Sequence, residues 1–364
     1  MGIPMKNRIR VGLYLVVMLV GSSRFIAKAG IIGPYLLSQN RIPDMSVIGL
    51  PPGAIELKLD LQFPEAQSDP FLSQPEAITA VSDHQLCISD MVNNELYLFD
   101  RTGKFMRRFG RSGQGPGDLL RPASIAFDND RIIVREAGNM RFQFFSMTGQ
   151  YLDGFKAFRG YTDFAAFKDR IYATPFLIKE PGAANNEQLV DILDFKGRRV
   201  GSFGSPLEVN PHDFPWLNQA ILAIKPSGEL WVVFRCFPIV RRYSLNGTSL
   251  AEYHFRTEIT DRKESYNKQN DLERTQTSSQ PFYAYIAHAA CATNRGLYLI
   301  DSTAGQRLII IYLNNNGRLE EYYWFPMAKR GFACTGLIVE DVDAEKRFYV
   351  LDASEACVSV YSIR

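Results

Sequence analysis

Four acidic residues recur at matched places along the 364-residue chain: Asp90, Glu136, Asp301 and Asp352. Asp90, Glu136 and Asp352 each stand nine residues ahead of an aromatic (Phe99, Phe145 and Tyr361), and Asp301 precedes Tyr312 by eleven. Acids repeated at one end of successive strands admit two chemistries. Set around an opening, they form a ring of acceptors for a ligand, joined by the amides Asn93 and Asn139 and the cations Arg141 and Arg307 from the same loops. Set ahead of turns, they cap nearby N–H groups, and Arg141 merely pairs with Glu136. The spacing leaves both readings open. It makes Asn93, Glu136, Asn139, Arg141, Asp301, Arg307 and Asp352 the candidate ligand-binding set.

Other chemistry finds little support. GRSGQGPGDLLRPASIA (110 to 126) is glycine-rich enough to cradle phosphate, but such a loop must open a helix. Here Pro122 and a β-rich run follow, without a Lys-Ser or Lys-Thr pair, so the stretch is predicted to be a connector between sheets. The chain contains neither G-x-S-x-G nor H-E-x-x-H, and His84, His212, His254 and His288 never fall at ligand spacing. EDVDAEKR (340 to 347) and DND (128 to 130) lack the glycine and terminal glutamate of an EF-hand and read as solvated turns. No catalytic residue, metal site or cofactor is therefore expected from motifs.

The elements that must position these residues come from a repeat. LYLFDRTGKFMRRFG (96 to 110) has the same shape as FQFFSMTGQYLDGF (142 to 155): an apolar strand, a turn closed by glycine, and a second strand ending in Phe. The shape returns in LVDILDFKGRRVGSFG, IVRRYSLNGTSLAEYHF and LIIIYLNNNGRLEEYYWF, with turn glycines Gly103, Gly149, Gly197, Gly247 and Gly317. Their intervals are 46, 48, 50 and 70. A further strand pair precedes each hairpin, giving six units of four short antiparallel strands, beginning near Pro75, Pro122, Phe164, Trp216, Phe282 and Cys334. In the third and fourth, Thr174 and Phe234 stand where the acid would be. The sixth unit stops at its third strand, VSVYSIR. AIELKLDLQFP (54 to 64), which alternates in polarity, is expected to complete it and close a ring.

On these residues the chain resembles the six-bladed β-propellers built from NHL-type repeats, in particular exported bacterial propellers of the TolB-like kind. GRSGQGPGDLLRPASIAF is close to that family's connector. Glu136, Asn139 and Arg141 match its D-x-x-N-x-R core, which erodes to Asp90, Asn93 and Glu95 in the first unit and to Asp352, Glu355 and Cys357 in the last. The resemblance covers about residues 54 to 364 and implies an all-β, six-bladed β-propeller of four-stranded antiparallel blades. It is strongest in units one and two and weakest in three and four.

Composition sets the remaining bounds. The chain is 46% hydrophobic and 22% charged, with a net charge of +2, which suits a globular protein and gives no electrostatic footprint for nucleic acid. Basic MGIPMKNRIR, apolar VGLYLVVMLVG and the small-x-small Ala27-Lys28-Ala29 read as an export signal over residues 1–29, or a retained N-terminal membrane anchor, followed by a proline-rich linker over 30–53. Cys87, Cys236, Cys291, Cys334 and Cys357 form no C-x-x-C pair and read as small buried residues, with one disulfide as the alternative. Polar residues 256–280 stand outside the repeat, either as a solvated excursion or as a short helix capped at Asp261, and could dock a partner in the cell envelope. The expected function is an exported, periplasmic or extracellular, monomeric propeller that binds a protein, peptide or glycan without catalysis. The competing expectation is a lactonase- or lyase-like enzyme with a divalent metal held by Asp301, Asp352, Glu136 and Asn93.

Overall fold

The structure, a computed structural model, describes residues 49–65, 70–82, 84–177, 187–209, 214–273, 283–303, 307–326, 334–342 and 345–363. The expected export signal and most of the linker lie outside the described residues, as do His212 and the expected fifth-unit start at Phe282. No helix among the described residues is long and apolar enough to cross a membrane.

After β1 (Ile55–Glu56) and β2 (Lys58–Phe63), blade one comprises β3 (Pro75–Ser82), β4 (Gln85–Asp90), β5 (Glu95–Asp100) and β6 (Phe105–Phe109). Blade two follows as β7 (Pro122–Asp128), β8 (Arg131–Glu136), β9 (Arg141–Ser146) and β10 (Tyr151–Lys156). Blade three is β11 (Tyr161–Phe167), β12 (Arg170–Pro175), β13 (Val190–Asp194) and β14 (Arg199–Phe203). After helix α1 (Phe214–Leu217), blade four is β15 (Ala220–Ile224), β16 (Glu229–Phe234), β17 (Ile239–Ser244) and β18 (Ser249–His254). Helix α2 (Glu258–Glu273) precedes blade five, which is β19 (Ala289–Ala292), β20 (Gly296–Thr303), β21 (Arg307–Asn314) and β22 (Leu319–Pro326). Blade six contains β23 (Cys334–Val342), β24 (Glu345–Asp352) and β25 (Cys357–Ser362).

Successive strands pair antiparallel within each blade, and the first strands contact one another in a closed circle, which makes them the walls of the central channel. Burial follows from this placement. Second and third strands are covered on both faces by neighbouring sheets and read as continuous apolar runs, such as Ile132-Ile133-Val134. Outer strands such as β6 are mostly exposed and carry charge. The buried apolar residues fall into six clusters, each at the boundary between two adjacent blades.

The closing strand behaves as expected in part and differently in part. β2 pairs antiparallel with β25, Leu61 opposite Val360 and Phe63 opposite Val358, and so completes blade six. Ile55 and Glu56 instead run parallel to β22, opposite Tyr323 and Trp324, so β1 adds a fifth strand to blade five. Between the two, Leu57 is buried against both blades and its N–H bonds the Trp324 carbonyl. A period-two pattern carries no record of which neighbour a strand pairs with, so this change of blade was invisible in the alternation.

The repeated glycines and aromatics meet across blade boundaries. Gly103 packs against the Phe63 ring, Gly149 against Phe109, Gly197 against Phe155, Gly247 against Phe203 and Gly317 against Tyr253. In each pair the aromatic is the last or next-to-last residue of the outer strand of one blade and the glycine closes the outer hairpin of the next. Gly149 shows why no other residue serves: its φ is +82°, and an added Cβ would lie 2.6 Å from the Phe109 ring. The same turns share an acceptor three residues before the glycine. Asp100, Ser146, Asp194, Ser244 and Asn314 each accept backbone N–H groups of their own turn through the side chain.

Candidate functional site at the channel mouth

The connector 110–121 crosses between blades one and two, and its N–H groups are taken up within the loop and by the side chains of the blades beside it. Gly113 N–H bonds the Leu119 carbonyl, Gly115 N–H the Asp118 carboxylate and Gly117 N–H the Gln143 side-chain oxygen. The glycines let the chain pass close to Asp118: a Cβ on Gly113 would lie 2.4 Å from its carboxylate.

Glu136 ends β8 beneath this connector. Its carboxylate accepts Leu120 N–H at 2.8 Å, Asn139 Nδ2 at 2.6 Å, Arg141 Nε at 2.5 Å and Gln143 Nε2 at 2.7 Å. Arg141 in turn donates to the Gln114, Gly115 and Asp118 carbonyls. Three sequence-predicted residues, Glu136, Asn139 and Arg141, thus meet in one network that fastens the connector to blade two. Alongside it lies an open groove of about 540 Å³ lined in part by Gln114, Asn139, Arg141, Tyr151 and Phe155.

The other predicted residues lie in separate networks. Asp90 accepts four backbone N–H groups, from Ser73, Gln74, Val92 and Asn93. Asn93 bonds Ser73, the Phe71 carbonyl and Tyr97. Asp352 caps Ser354 and Glu355, and burial holds its carboxyl above the usual range. Asp301 lies two residues before the end of β20, is buried and pairs with Lys263 of α2; burial raises its pKa to about 6 while Lys263 pulls it down. Arg307 stacks over the Trp324 ring at 5.4 Å. Asp301, Asp352, Glu136 and Asn93 do not converge, and among the described residues no group of three or more His, Cys, Asp or Glu side chains could hold a metal ion.

A different group of charges does converge. In blades one, two, three and six the first strand bulges at its second residue, at Glu76, Ala123, Thr162 and Thr335. These bulges sit at the connector end of the channel. Glu76 of β3 is partly buried there and its Oε2 atom has no hydrogen-bond partner. Loss of solvent raises its pKa to about 7 against the opposing pull of Arg135, Arg235 and Arg121. Arg135, buried near the end of β8, donates to Ser124 and to the Tyr161 and Thr162 carbonyls of blade three. Asp163 of β11 accepts Leu222 N–H of blade four, and burial raises its pKa while Arg235 and Arg135 lower it. Arg235, just past β16, donates through Nη1 to the His288 carbonyl and lies over the Tyr285 ring. His288 is held neutral, with its pKa pushed down to about 3 by burial and then by Lys263 and Arg235.

Helix α2 frames this mouth on the side of blades four and five. Thr257 caps it: the Thr260 N–H bonds Thr257 Oγ1, and the Thr257 N–H bonds Thr260 Oγ1. The expected helix is therefore present and begins earlier than a cap at Asp261 requires. It buries Ile259 in the core between blades four and five and otherwise docks through polar groups. Lys263 donates to the Tyr285 carbonyl and Asp301, and Asn267 bridges the Cys236 and Ala284 backbones.

Glu76, Arg135, Asp163, Arg235 and Lys263 escaped the sequence reading because each occurs once, in a different blade or insertion, and no spacing joins them. The one local signal was Arg135, a charge directly after the apolar run Ile132-Ile133-Val134 on a strand buried along nearly its whole length.

Six sheets around a channel, each of four or five strands, make the chain a six-bladed β-propeller. Residues 65–169 match the family described as "6-bladed beta-propeller", a span that holds blades one and two, where the repeat is clearest, and the first strand of blade three. The chain is similar to RING finger protein nhl-1 of Caenorhabditis elegans, 37% identical over 65 residues; that stretch is 18% of this chain and only 7% of the relative's length. Among solved structures it is similar to a candidate exported protein of Bacteroides fragilis at 15% identity, with 84% of this chain and 94% of that one covered and a TM-score of 0.52. A DUF4221-family protein of Bacteroides vulgatus gives 11%, 85%, 98% and 0.53, and virginiamycin B lyase of Staphylococcus aureus gives 11%, 85%, 100% and 0.50. At these identities the likeness is one of fold.

Proposed function

We propose that this protein is an exported binding propeller whose channel mouth, on the connector face, receives a protein, peptide or glycan without chemical conversion. One observation carries the reading: Glu76, Arg135, Asp163 and Arg235 come from four blades to one end of the channel, and a carboxylate oxygen among them is left unpaired. Buried acceptors without partners are uncommon in folded proteins, and a concave polar mouth is where propellers have room for a ligand. The likeness to a candidate exported protein and the signal-like N-terminal sequence support export.

The test is retention on peptide and glycan arrays, comparing wild-type protein with the Glu76→Gln, Arg235→Lys double variant. Ligands held by the wild type should be lost by the variant while it retains the folded state. Equal retention by both would move the site away from the channel and overturn the reading.

A further inference from the structure

The mouth brings together two basic side chains, Arg135 and Arg235 of blades two and four, and two acidic ones, Glu76 and Asp163 of blades one and three. A ligand with a single net charge meets repulsion from one pair whichever way it enters. A neutral ligand without separated charges leaves both pairs poorly solvated. The unused hydrogen-bonding capacity has the same polarity. Glu76 Oε2 is an acceptor without a donor, while Arg235 spends only Nη1, on the His288 carbonyl. His288, neutral beside Arg235, adds no positive charge that would oppose a cation at Glu76.

We propose that the channel mouth is a subsite for a zwitterionic group of the α-amino-acid type, its ammonium donating to Glu76 and its carboxylate accepting from the free N–H groups of Arg235. The inference rests on the mouth being the binding face and names what it selects. An ammonium at Glu76 favours the ionised carboxylate, so a ligand binding near neutral pH displaces the proton that burial holds there.

Titration calorimetry on the full chain tests this with four probes of one side chain: L-alanine, alaninamide, N-acetylalanine and N-acetylalaninamide. Alanine should bind at least about ten-fold more tightly than each blocked analogue and release protons to buffer at pH 6.5, as heats in buffers of different ionisation enthalpy would show. Glu76→Gln should abolish both the preference and the proton release while retaining the folded state. Arg235→Lys should weaken alanine more than alaninamide. Di- and trialanine distinguish a free amino acid, which alone carries both charges on one carbon, from a chain terminus. Equal affinities for the four probes, no binding of any, or an unaltered preference in Glu76→Gln overturns the proposal. If array ligands are still lost by the double variant in that event, the binding face stands and only its zwitterion selectivity falls.

Discussion

Glu136 and Glu76 are both glutamates at the connector end of the ring, one blade apart, and they do opposite work. Glu136 accepts hydrogen bonds from a backbone amide, two side-chain amides and a guanidinium, so its charge is spent on holding a loop. Glu76 leaves an oxygen unpaired beside Arg135 and Arg235. The first belongs to the repeat and the second interrupts it. Residues that recur from blade to blade are used to build the ring, and residues that occur once are free to face the channel.

The largest effect expected from this division is at the ring closure. Phe63 is buried, ends β2, packs its ring at 5.2 Å and a tilt of 49° against Phe99 and covers Gly103 of blade one. Phe63→Ala therefore opens a void at the boundary where β2 and β25 close blade six against blade one, and it should lower stability by about 3–5 kcal/mol in denaturant titration. A loss below about 1 kcal/mol would mean that the blades are held by hydrogen bonding alone, and the recurrent glycine–aromatic contact would lose its assigned role.

Next comes the satisfied acid. Removing the carboxylate in Glu136→Ala strands Arg141, for which a broken buried pair costs about 3–5 kcal/mol. Arg141 keeps three carbonyl acceptors, so the low end, about 3 kcal/mol, is expected. Proteolysis should then cut first within 110–121, the segment that Glu136 fastens. An intact connector with unchanged stability would place Glu136 among the ligand groups after all.

How much of this was legible depends on repetition. Six blades, the turn glycines and β2 on β25 could be read because a four-strand unit returns its marks roughly every fifty residues, and blade three and four kept them despite lacking the acid. The fastening network of Glu136, Asn139 and Arg141 was also visible, as a local spacing. Glu76 and Arg235 were not, since the toroid alone brings residues 159 positions apart to one channel end. Helix α2 hid most of its contacts for another reason: beyond Ile259 it docks through Lys263 and Asn267, and hydrophobic periodicity records only apolar faces. The parallel seat of β1 on β22 was hidden because pairing partner is a tertiary property.

The smallest effect, and the one that separates the two glutamates most sharply, is a pH dependence. Burial raises Glu76 from 4.5 to about 7 in the folded state, with Arg135, Arg235 and Arg121 opposing and Asp90 assisting. Between those values the unfolded chain has released this proton and the folded chain has kept it, so stability falls as pH rises through the window and is level above it. Glu76→Gln removes the titration. Wild type and variant should match near pH 4, and the variant should become more stable by about 1–2 kcal/mol by pH 8, the full shift being discounted because the residue is partly exposed to solvent. Asp301 loses stability in the same direction up to about pH 6, and His288 in the opposite direction as pH falls from 6.5 towards 3, but both titrate in either protein and cancel in the difference. A variant that instead loses stability as pH rises would show Glu76 ionised and paired with Arg135 or Arg235, and the contrast with Glu136 would disappear.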